Sequence, residues 1–173
     1  MSMSAKDFLS SFYAEGKGWL EIRVLDKHGR ISYFEQSVDE ALVHVEKWRT
    51  LGKGANIYFG VCSRKEEGKH SLNDILYTKS VWVDLDATDD DERKTQLKKI
   101  KEFPLPPSLV VNSGNGFHIY WLLRKPTRKW ASFAKIIKMF EKLLKSDSTG
   151  DIARILRVPG TMNTKDPSNP LPV

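Results

Sequence analysis

Apolar residues along this chain recur with two periods, which together predict a mixture of helices and strands. Phe8 and Phe12 lie one helical turn apart and predict a short amphipathic helix over 4–15. Over 129–145 the same spacing predicts a longer amphipathic helix whose opposite face carries lysines. Runs rich in β-branched and aromatic residues are typical of strands, and they are WLEIRVL, RISYFEQ, ANIYFGV, VWVDLDA, PPSLVV, FHIYWLL and ARILRVPG.

Turn and capping signals indicate how these elements follow one another. The turn DKHG joins the first two strands into a predicted β-hairpin, and Ser37 with Glu40 forms a capping box that opens the next helix. A further helix is predicted over 90–101. The predicted order is α-β-β-α-β followed by β-α-β-β-α-β. The second half has the connectivity of a ferredoxin-like or RNA-recognition-type (RRM-like) sheet, so the sequence predicts an α+β fold with an antiparallel sheet.

Length and composition limit the class of protein without identifying it. The 173 residues suit one domain with a sizeable core, and 40% of them are apolar, which excludes intrinsic disorder. The sequence has no apolar run long enough to span a bilayer and no signal-peptide pattern. Its single cysteine excludes an internal disulfide framework, so we expect a reducing, cytosolic setting. The proline-rich segment 166–173 predicts a domain edge, either a linker to further domains or a truncation.

Charge is distributed unevenly along the chain. The formal net charge is +6, from 28 Lys and Arg against 22 Asp and Glu, which is weak evidence for a polyanionic partner. Acidic residues are concentrated in DLDATDDDE, 84–92, so the remainder of the chain is more basic than the total suggests. An acidic cluster in a basic protein is compatible with cations held against a polyanion. Charge alone favours the simpler interpretation, a solvated loop that caps the next helix.

Asp84 and Asp86 lie in the otherwise apolar strand VWVDLDA. Residues two apart on a strand point to the same face, so the two carboxylates can converge on divalent cations, as in two-metal phosphoryl-transfer sites. Carboxylates beside a core need a partner or a metal to offset their desolvation. The alternative is a strand end whose acids cap the following helix, and the pair by itself leaves both interpretations open. For the acids of 89–92 the capping interpretation is favoured.

Two further segments contain groups that can bind an anion. In SGNGFH, Ser113–His118, a tight turn precedes a histidine, and its backbone N–H groups and imidazole can contact a phosphate. The segment DIARILRVPGTMNTK begins with Asp151 and contains Arg157, whose planar guanidinium suits a triphosphate, followed by Asn163 and Lys165. The alternatives are an Asn-Gly hairpin turn, which is favoured for the first segment taken alone, and a surface strand with a basic turn.

Taken in order, these three segments resemble the archaeo-eukaryotic primase (AEP) superfamily, particularly its RepB-like primase and primase-polymerase branch. That family has an acidic D-x-D or D-x-E strand, a serine- and glycine-containing turn before a histidine, and a third acidic residue. Here VDLD, SGNGFH and Asp151 match this order, and RVPGTMNTK is similar to the branch's R-x-P-G-T-x-N-x-K signature. The resemblance implies one AEP-type catalytic domain over 1–165, with an N-terminal αβ module, 1–54, and an RRM-like catalytic module, 55–165.

The resemblance implies a DNA primase or primase-polymerase, a nucleotidyltransferase that adds nucleotides to a 3′-hydroxyl on a single-stranded DNA template by a two-metal mechanism. By this resemblance Asp84, Asp86 and Asp151 hold two Mg²⁺ or Mn²⁺ ions and, with His118, form the catalytic set. Residues that it assigns to the phosphates of an incoming NTP or dNTP are Ser113, Gly114, His118, Arg157, Asn163 and Lys165, with Arg64 and Arg154 as further candidates.

The resemblance also implies partners and a setting. A template, a primer and a fused or associated helicase or other replication domain are expected, and no membrane. The expected setting is the cytoplasm of a prokaryote, with a plasmid, phage, other mobile element or CRISPR-associated system as the source. The lysine-rich faces of 93–101 and 129–145 are candidate tracks for the DNA backbone.

Two departures from the family pattern bear on this assignment. The family often has serine two residues before the histidine, where this chain has Gly116, so Ser113 or backbone N–H groups would take that role. The sequence has no Cys/His cluster for the zinc-binding element that some relatives use in primer initiation, so initiation would depend on another element.

Other functional classes lack their motifs in this sequence. There is no P-loop, no G-x-G-x-x-G and no G-x-S-x-G motif. A non-catalytic RRM-type nucleic-acid-binding module is one alternative function, but no strand carries the aromatic run of such modules. A rolling-circle replication nuclease is another, and it would need an H-x-H pair that the chain does not contain.

Overall fold

The secondary structure follows the predicted alternation of helices and strands closely. The computed structural model describes residues 3–14, 16–51, 54–146 and 151–173. Its helices are α1 (Ala5–Phe12), α2 (Val38–Leu51), α3 (Asp90–Lys101) and α4 (Trp130–Leu144), with a 3₁₀ turn at Leu72–Asp74. Its strands are β1 (Leu20–Asp26), β2 (Gly29–Glu35), β3 (Asn56–Gly60), β4 (Cys62–Arg64), β5 (Ile75–Asp86), β6 (Leu109–Asn112), β7 (Gly116–Thr127), β8 (Ile155–Arg157), β9 (Met162–Asn163) and β10 (Leu171–Pro172).

Short polar side chains begin the helices where the sequence places them. Ser37 caps α2 as the sequence predicts, because the Glu40 N–H donates to Ser37 Oγ at 3.1 Å, and Ser37 Oγ in turn donates to the Glu40 carboxylate at 3.0 Å. At α3, Asp89 is the N-cap and accepts from the Glu92 N–H at 2.8 Å. The acids of 89–92 therefore serve this helix start, as the capping interpretation predicted.

The strands form two four-stranded antiparallel sheets, which confirms the predicted α+β class. Their orders are β2-β1-β3-β8 and β4-β5-β7-β6. The order of elements predicted for the second half is confirmed, but its last strand does not join the second sheet. β8 pairs with β3 of the first sheet, and β4 takes the edge next to β5. This exchange places Arg157 on the first sheet, directly opposite Tyr58.

An aromatic cluster joins the two sheets through α1. Phe8 and Phe12 contact Phe59 of β3 and Tyr120 of β7 edge-on, with ring centroids between 4.9 and 5.7 Å apart. All four rings are buried. Because aromatic side chains bury large apolar areas and prefer this edge-to-face geometry, α1 fixes the first sheet against the second.

The opposite face of the second sheet is covered by the two later helices. Trp121 packs against Phe140 of α4 at 4.6 Å and against Phe103 at 5.1 Å, and Arg93 of α3 lies over the Phe117 ring at 4.8 Å. Because side chains alternate along β7, Phe117 and Trp121 point to the face opposite His118. These contacts with α3 and α4 therefore lie on that opposite face.

The proline-rich segment 166–173 ends in a short strand. This strand, β10, contains Pro172 and pairs with β9, and the Val173 N–H and carbonyl bond to Thr161 and Gly160 respectively. The end of the segment is therefore fastened to the domain, and its role as a domain edge or linker stays a prediction. Among the described residues, no helix has the length and apolar character needed to cross a membrane.

Candidate nucleotide and metal site

Asp84 and His118 face each other across the pair formed by β5 and β7. Their Cα atoms are register partners, and Asp86 is the partner of Gly116 two residues further along. Because alternate residues of a strand share a face, both aspartates and the histidine lie on one side of the second sheet. Nε2 of His118 is 3.6 Å from Oδ1 of Asp84, just beyond hydrogen-bond distance. The structure thus brings the first two sequence motifs together.

Asp84 occupies an electrostatically unfavourable position. Its side chain is only 21% exposed, and its Oδ1 has no hydrogen-bond partner among the described residues. Burial and, second, the negative charge of Asp86 raise the pKa of Asp84 to about 6, while Arg154 and Arg157 oppose the shift. A half-buried carboxylate with an unsatisfied oxygen beside a second carboxylate suits a bound cation, because hard divalent ions prefer oxygen ligands.

His118 is a neutral hydrogen-bonding group in this environment. Its side chain is 3% exposed. Burial, followed by the positive charges of Arg157 and Arg154, lowers the pKa of His118 to about 3. At neutral pH the imidazole therefore carries one N–H donor and no charge. His118 can orient a phosphate oxygen, but positive charge must come from other residues.

The buried neutral state of His118 predicts a loss of stability in mild acid. Its pKa is lower in the folded state (about 3) than in the unfolded state (about 6.5), so unfolding takes up a proton between these values. Lowering the pH from 7 to 5.5 should therefore cost the wild type about 1 kcal/mol relative to His118→Gln. Urea unfolding of both proteins with chelator present checks this. Equal pH dependence in the two proteins would contradict the buried neutral assignment.

Arg157 is held in place by side chains of β3. Its guanidinium lies over the Tyr58 ring, 5.1 Å from the centroid, and its Nη2 donates to Asn56 Oδ1 at 3.5 Å. Such cation–π stacking fixes the plane of a guanidinium without consuming all of its donors. Arg154, three residues earlier in the chain, also acts electrostatically on both Asp84 and His118. The two arginines supply positive charge next to the aspartate–histidine pair.

The turn at 113–116 directs its hydrogen bonds into the protein. The Gly114 N–H donates to Asn112 Oδ1 at 2.9 Å, and the Ser113 N–H donates to the Gly116 carbonyl at 3.0 Å. Arg93 also donates to the Gly114 carbonyl, at 3.0 Å. Both backbone N–H groups are thus bonded within the turn in this structure, and the phosphate contact predicted for Ser113 and Gly114 stays a prediction. Ser113 is itself 2% exposed.

Asn163 has a structural role in place of its predicted nucleotide contact. Its Nδ2 donates to the Ser113 carbonyl at 2.9 Å, and its Oδ1 accepts the Lys165 N–H at 3.1 Å. The side chain is buried with both of its ends bonded, so it holds the turn against β9 and does not face a ligand. The Lys165 side chain is exposed and stays a predicted phosphate contact.

Asp151 does not join the other two aspartates in the part of the chain that the structure describes. Its Oδ1 accepts the Ala153 N–H at 2.8 Å, which closes a local turn. Over residues 3–14, 16–51, 54–146 and 151–173, no three His, Cys, Asp or Glu side chains are grouped so that they could hold a metal. The predicted three-carboxylate set is therefore present only as the pair Asp84 and Asp86.

Known primase structures superimpose on most of the chain. The AEP domain of the primase-polymerase from cyanophage S-2L is 17% identical, with a TM-score of 0.62, and covers 89% of this chain and 80% of its own. The catalytic domain of primase RepB′ in complex with initiator DNA is also 17% identical, with a TM-score of 0.63, over 93% of this chain and 77% of its own. The chain has the fold of an AEP primase catalytic domain.

Sequence comparison points in the same direction. A curated replication protein from Clostridium perfringens is 25% identical to this chain over an alignment that covers 95% of this chain and 41% of the relative. This chain also spans 51% of the longer structure of primase RepB′, at 16% identity. No protein-family model matches the chain. The AEP-like fold that the three motifs implied is confirmed.

Arg64, a further nucleotide candidate, is buried within this AEP-like fold. Its side chain is completely inaccessible and forms an ion pair with Glu21, which is equally inaccessible. A side chain in that position does not reach a nucleotide that enters from solvent. The structure therefore contradicts the nucleotide contact predicted for Arg64.

The lysine-rich faces belong to helices that pack mainly against the second sheet of the fold. α3 and α4 pack behind the second sheet of the AEP-like fold, whereas Asp84 and His118 lie on its front face. Lysines of α4 that are exposed on that rear layer are Lys135, Lys138 and Lys142. Lys99 and Lys145 line a small cavity together with Asp86, and the role of the lysine-rich faces as DNA tracks stays a prediction.

Sequence reasoning missed the residues that support the arginines. In the strand ANIYFGV, Asn56 and Tyr58 alternate with the buried Ile57 and Phe59. This alternation of polar and apolar residues indicates which side chains lie on the less buried face of β3. Glu21 is an acid inside the apolar run WLEIRVL, a pattern that indicates a paired buried charge.

Proposed function

We propose that this chain catalyses template-directed nucleotidyl transfer, adding nucleotides to the 3′-hydroxyl of a primer on single-stranded DNA. The observation that carries the proposal is the half-buried Asp84 carboxylate, which has an unpartnered oxygen, a second carboxylate beside it and a neutral histidine 3.6 Å away. Two proteins with the same fold, a primase-polymerase and a primase, support it. One of these proteins was solved with initiator DNA, which supports DNA as the partner.

Asp84 and Asp86 are the proposed ligands for Mg²⁺ or Mn²⁺. The unpartnered Oδ1 of Asp84 and the mutual repulsion of the two carboxylates fit a divalent cation. Asp151 is the proposed third ligand, although the described structure does not bring it into the pair. Bound divalent ions supply activation of the attacking hydroxyl and charge neutralisation on the phosphates.

The chain's own side chains orient and neutralise the triphosphate in this proposal. Neutral His118 donates one hydrogen bond to a phosphate oxygen and keeps that oxygen next to Asp84. Arg157, fixed over Tyr58, and Arg154 provide the positive charge that offsets negative charge on the leaving pyrophosphate. Lys165, two residues after β9, is proposed to contact the outer phosphates. No protein nucleophile is required for this transfer.

Primer extension tests the proposal directly. Purified chain, a primed single-stranded DNA template, all four dNTPs or NTPs and Mn²⁺ or Mg²⁺ should give products longer than the primer, and EDTA should stop their formation. The variant Asp84→Ala/Asp86→Ala should lose at least about 10³-fold in rate, because both proposed metal ligands are removed.

A matched charge control accompanies that variant. Asp90→Ala/Asp91→Ala removes two exposed acids from the start of α3 and should extend primers at close to the wild-type rate. Metal-dependent extension that survives in Asp84→Ala/Asp86→Ala would contradict the site assignment. Wild-type protein that neither extends primers nor binds nucleotide would contradict the function.

A further inference from the structure

Arg64 and Glu21 form a completely buried ion pair between β4 and β1. Arg64 donates from Nε and Nη2 to Glu21 Oε2, at 2.9 and 2.7 Å. The other carboxylate oxygen of Glu21 accepts from Arg23 Nε at 2.7 Å. Gly60 leaves room for this pair, since a Cβ there would lie 2.8 Å from Arg64 Nη2. The pair therefore connects the first sheet to the second within the protein interior.

The same guanidinium holds the segment that precedes β8. Arg64 Nη2 also donates to the Ala153 carbonyl at 3.1 Å. Immediately beside it, the Val61 N–H donates to the Arg154 carbonyl at 3.1 Å, and the Arg154 N–H donates to the Asp151 carbonyl at 3.0 Å. Residues 151–154 are thus fastened to the connection between β3 and β4 by one buried side chain and one backbone bond.

Stability alone does not explain why this ion pair is present. The attraction between two buried charges offsets their desolvation cost only when the geometry is excellent. Proteins in which well-packed apolar residues replace such a pair are often equally stable. The ion pair does provide a defined geometry, because a planar guanidinium held by two hydrogen bonds fixes the position of the carbonyl that it contacts. The carbonyl contacted here belongs to the residue before Arg154.

We propose that Glu21 and Arg64 are positioning residues for the nucleotide site, holding 151–154 so that Arg154 faces the Asp84–His118 pair. This inference rests on the proposed function. It explains the position of Arg154, whose charge reaches both Asp84 and His118 although it lies on a segment outside their sheet. Neither Glu21 nor Arg64 touches the nucleotide, so both act through the segment that they hold.

The variant Arg64→Lys tests this role because it keeps the positive charge and loses the bidentate geometry. Binding of dATP with Mn²⁺ is measured by calorimetry, and KM and kcat are measured in primer extension. We expect affinity for dATP to fall and KM to rise by about tenfold, as for a lost hydrogen bond to a charged group. Amide exchange at Val61 should accelerate relative to the amides of β7, because its acceptor is the Arg154 carbonyl.

Two controls separate positioning from simple loss of stability. Val45→Ala removes buried apolar volume from α2, which contributes no residue to the proposed nucleotide site, and should lower the melting temperature while dATP affinity is unchanged. In the Arg154→Ala background, Arg64→Lys should add little further loss, because both act through the same group. If Arg64→Lys does not fold, Glu21→Gln/Arg64→Gln removes both charges together and should give the same loss of affinity.

The outcomes distinguish this inference from the proposed function. If the wild type binds dATP and Arg64→Lys binds it with equal affinity, the positioning role alone is overturned. The positioning role would also be overturned if Arg64→Lys and Val45→Ala had the same melting temperature and Arg64→Lys lost no more dATP affinity than Val45→Ala. Wild-type protein that binds no dATP would overturn the proposed function and this role with it.

Discussion

Replacing Asp84 with Asn should abolish nucleotide addition and, in metal-free buffer, raise the melting temperature. Asn has the same shape but no charge, so it removes both the desolvation cost of a buried carboxylate and its repulsion by Asp86. Activity should fall at least about 10³-fold because a proposed metal ligand is lost. A gain of about 1 kcal/mol would raise the melting temperature by about 3 °C. Such opposite effects are typical of a functional position that costs stability.

Asp86→Asn is the matched control for this prediction. Asp86 carries the same proposed role but is exposed, so its variant should lose activity with a smaller rise in melting temperature, because it removes the repulsion but not the desolvation cost of a buried carboxylate. Thermal melts with EDTA and primer extension with Mn²⁺ measure the two effects separately. Extension by Asp84→Asn within tenfold of the wild type would refute its role, and a lowered melting temperature would refute the electrostatic argument.

Replacing Gly116 with Ser should strongly destabilise the protein, although serine is frequent at this position in the family it resembles. A Cβ at Gly116 would overlap the Leu85 carbonyl oxygen and lie 2.8 Å from its carbon and 3.0 Å from the Asp86 Cα. These are backbone atoms of the strand that presents both aspartates, so the strand itself would have to move. We expect a loss of about 3 kcal/mol, at the upper end of overpacking penalties, together with the loss of primer extension.

Asn115→Ala provides the comparison for Gly116→Ser. Asn115 is the exposed neighbour in the same turn, and its bond to the Ala87 N–H comes from its backbone carbonyl, which alanine retains. Urea unfolding should therefore give a free energy close to that of the wild type. A Gly116→Ser protein with wild-type stability would show that β5 and β7 can separate at this point without cost.

Local patterns were sufficient to predict most helices and strands here. The capping box of Ser37 and Glu40 and the apolar spacing of α1 and α4 are short-range features, and short-range interactions determine where a helix starts and which face it buries. The pairing of β8 is different, because a three-residue strand contains no information about which sheet edge it joins. That choice depends on long-range contacts, since β8 pairs with a strand about a hundred residues earlier in the chain.

The candidate site divides in the same way. Asp84, Asp86 and His118 could be selected from the sequence because acids and a histidine in apolar strands are conspicuous. The roles of Asn163 and Arg64 could not be assigned, since a polar residue near a motif can face the ligand or hold the scaffold. Burial decides between these two roles, and burial depends on residues far away in the chain, such as Glu21 for Arg64.

The sequence by itself determined the α+β class, the order of most elements and the two carboxylates on one strand face, because these depend on periodicity and nearest neighbours. Only the tertiary structure decided that His118 is neutral, that Arg157 is stacked on Tyr58 and that Arg64 is an interior ion-pair residue. Charge state and side-chain role depend on solvent exclusion and on long-range contacts. These arise only when the two sheets pack together around α1.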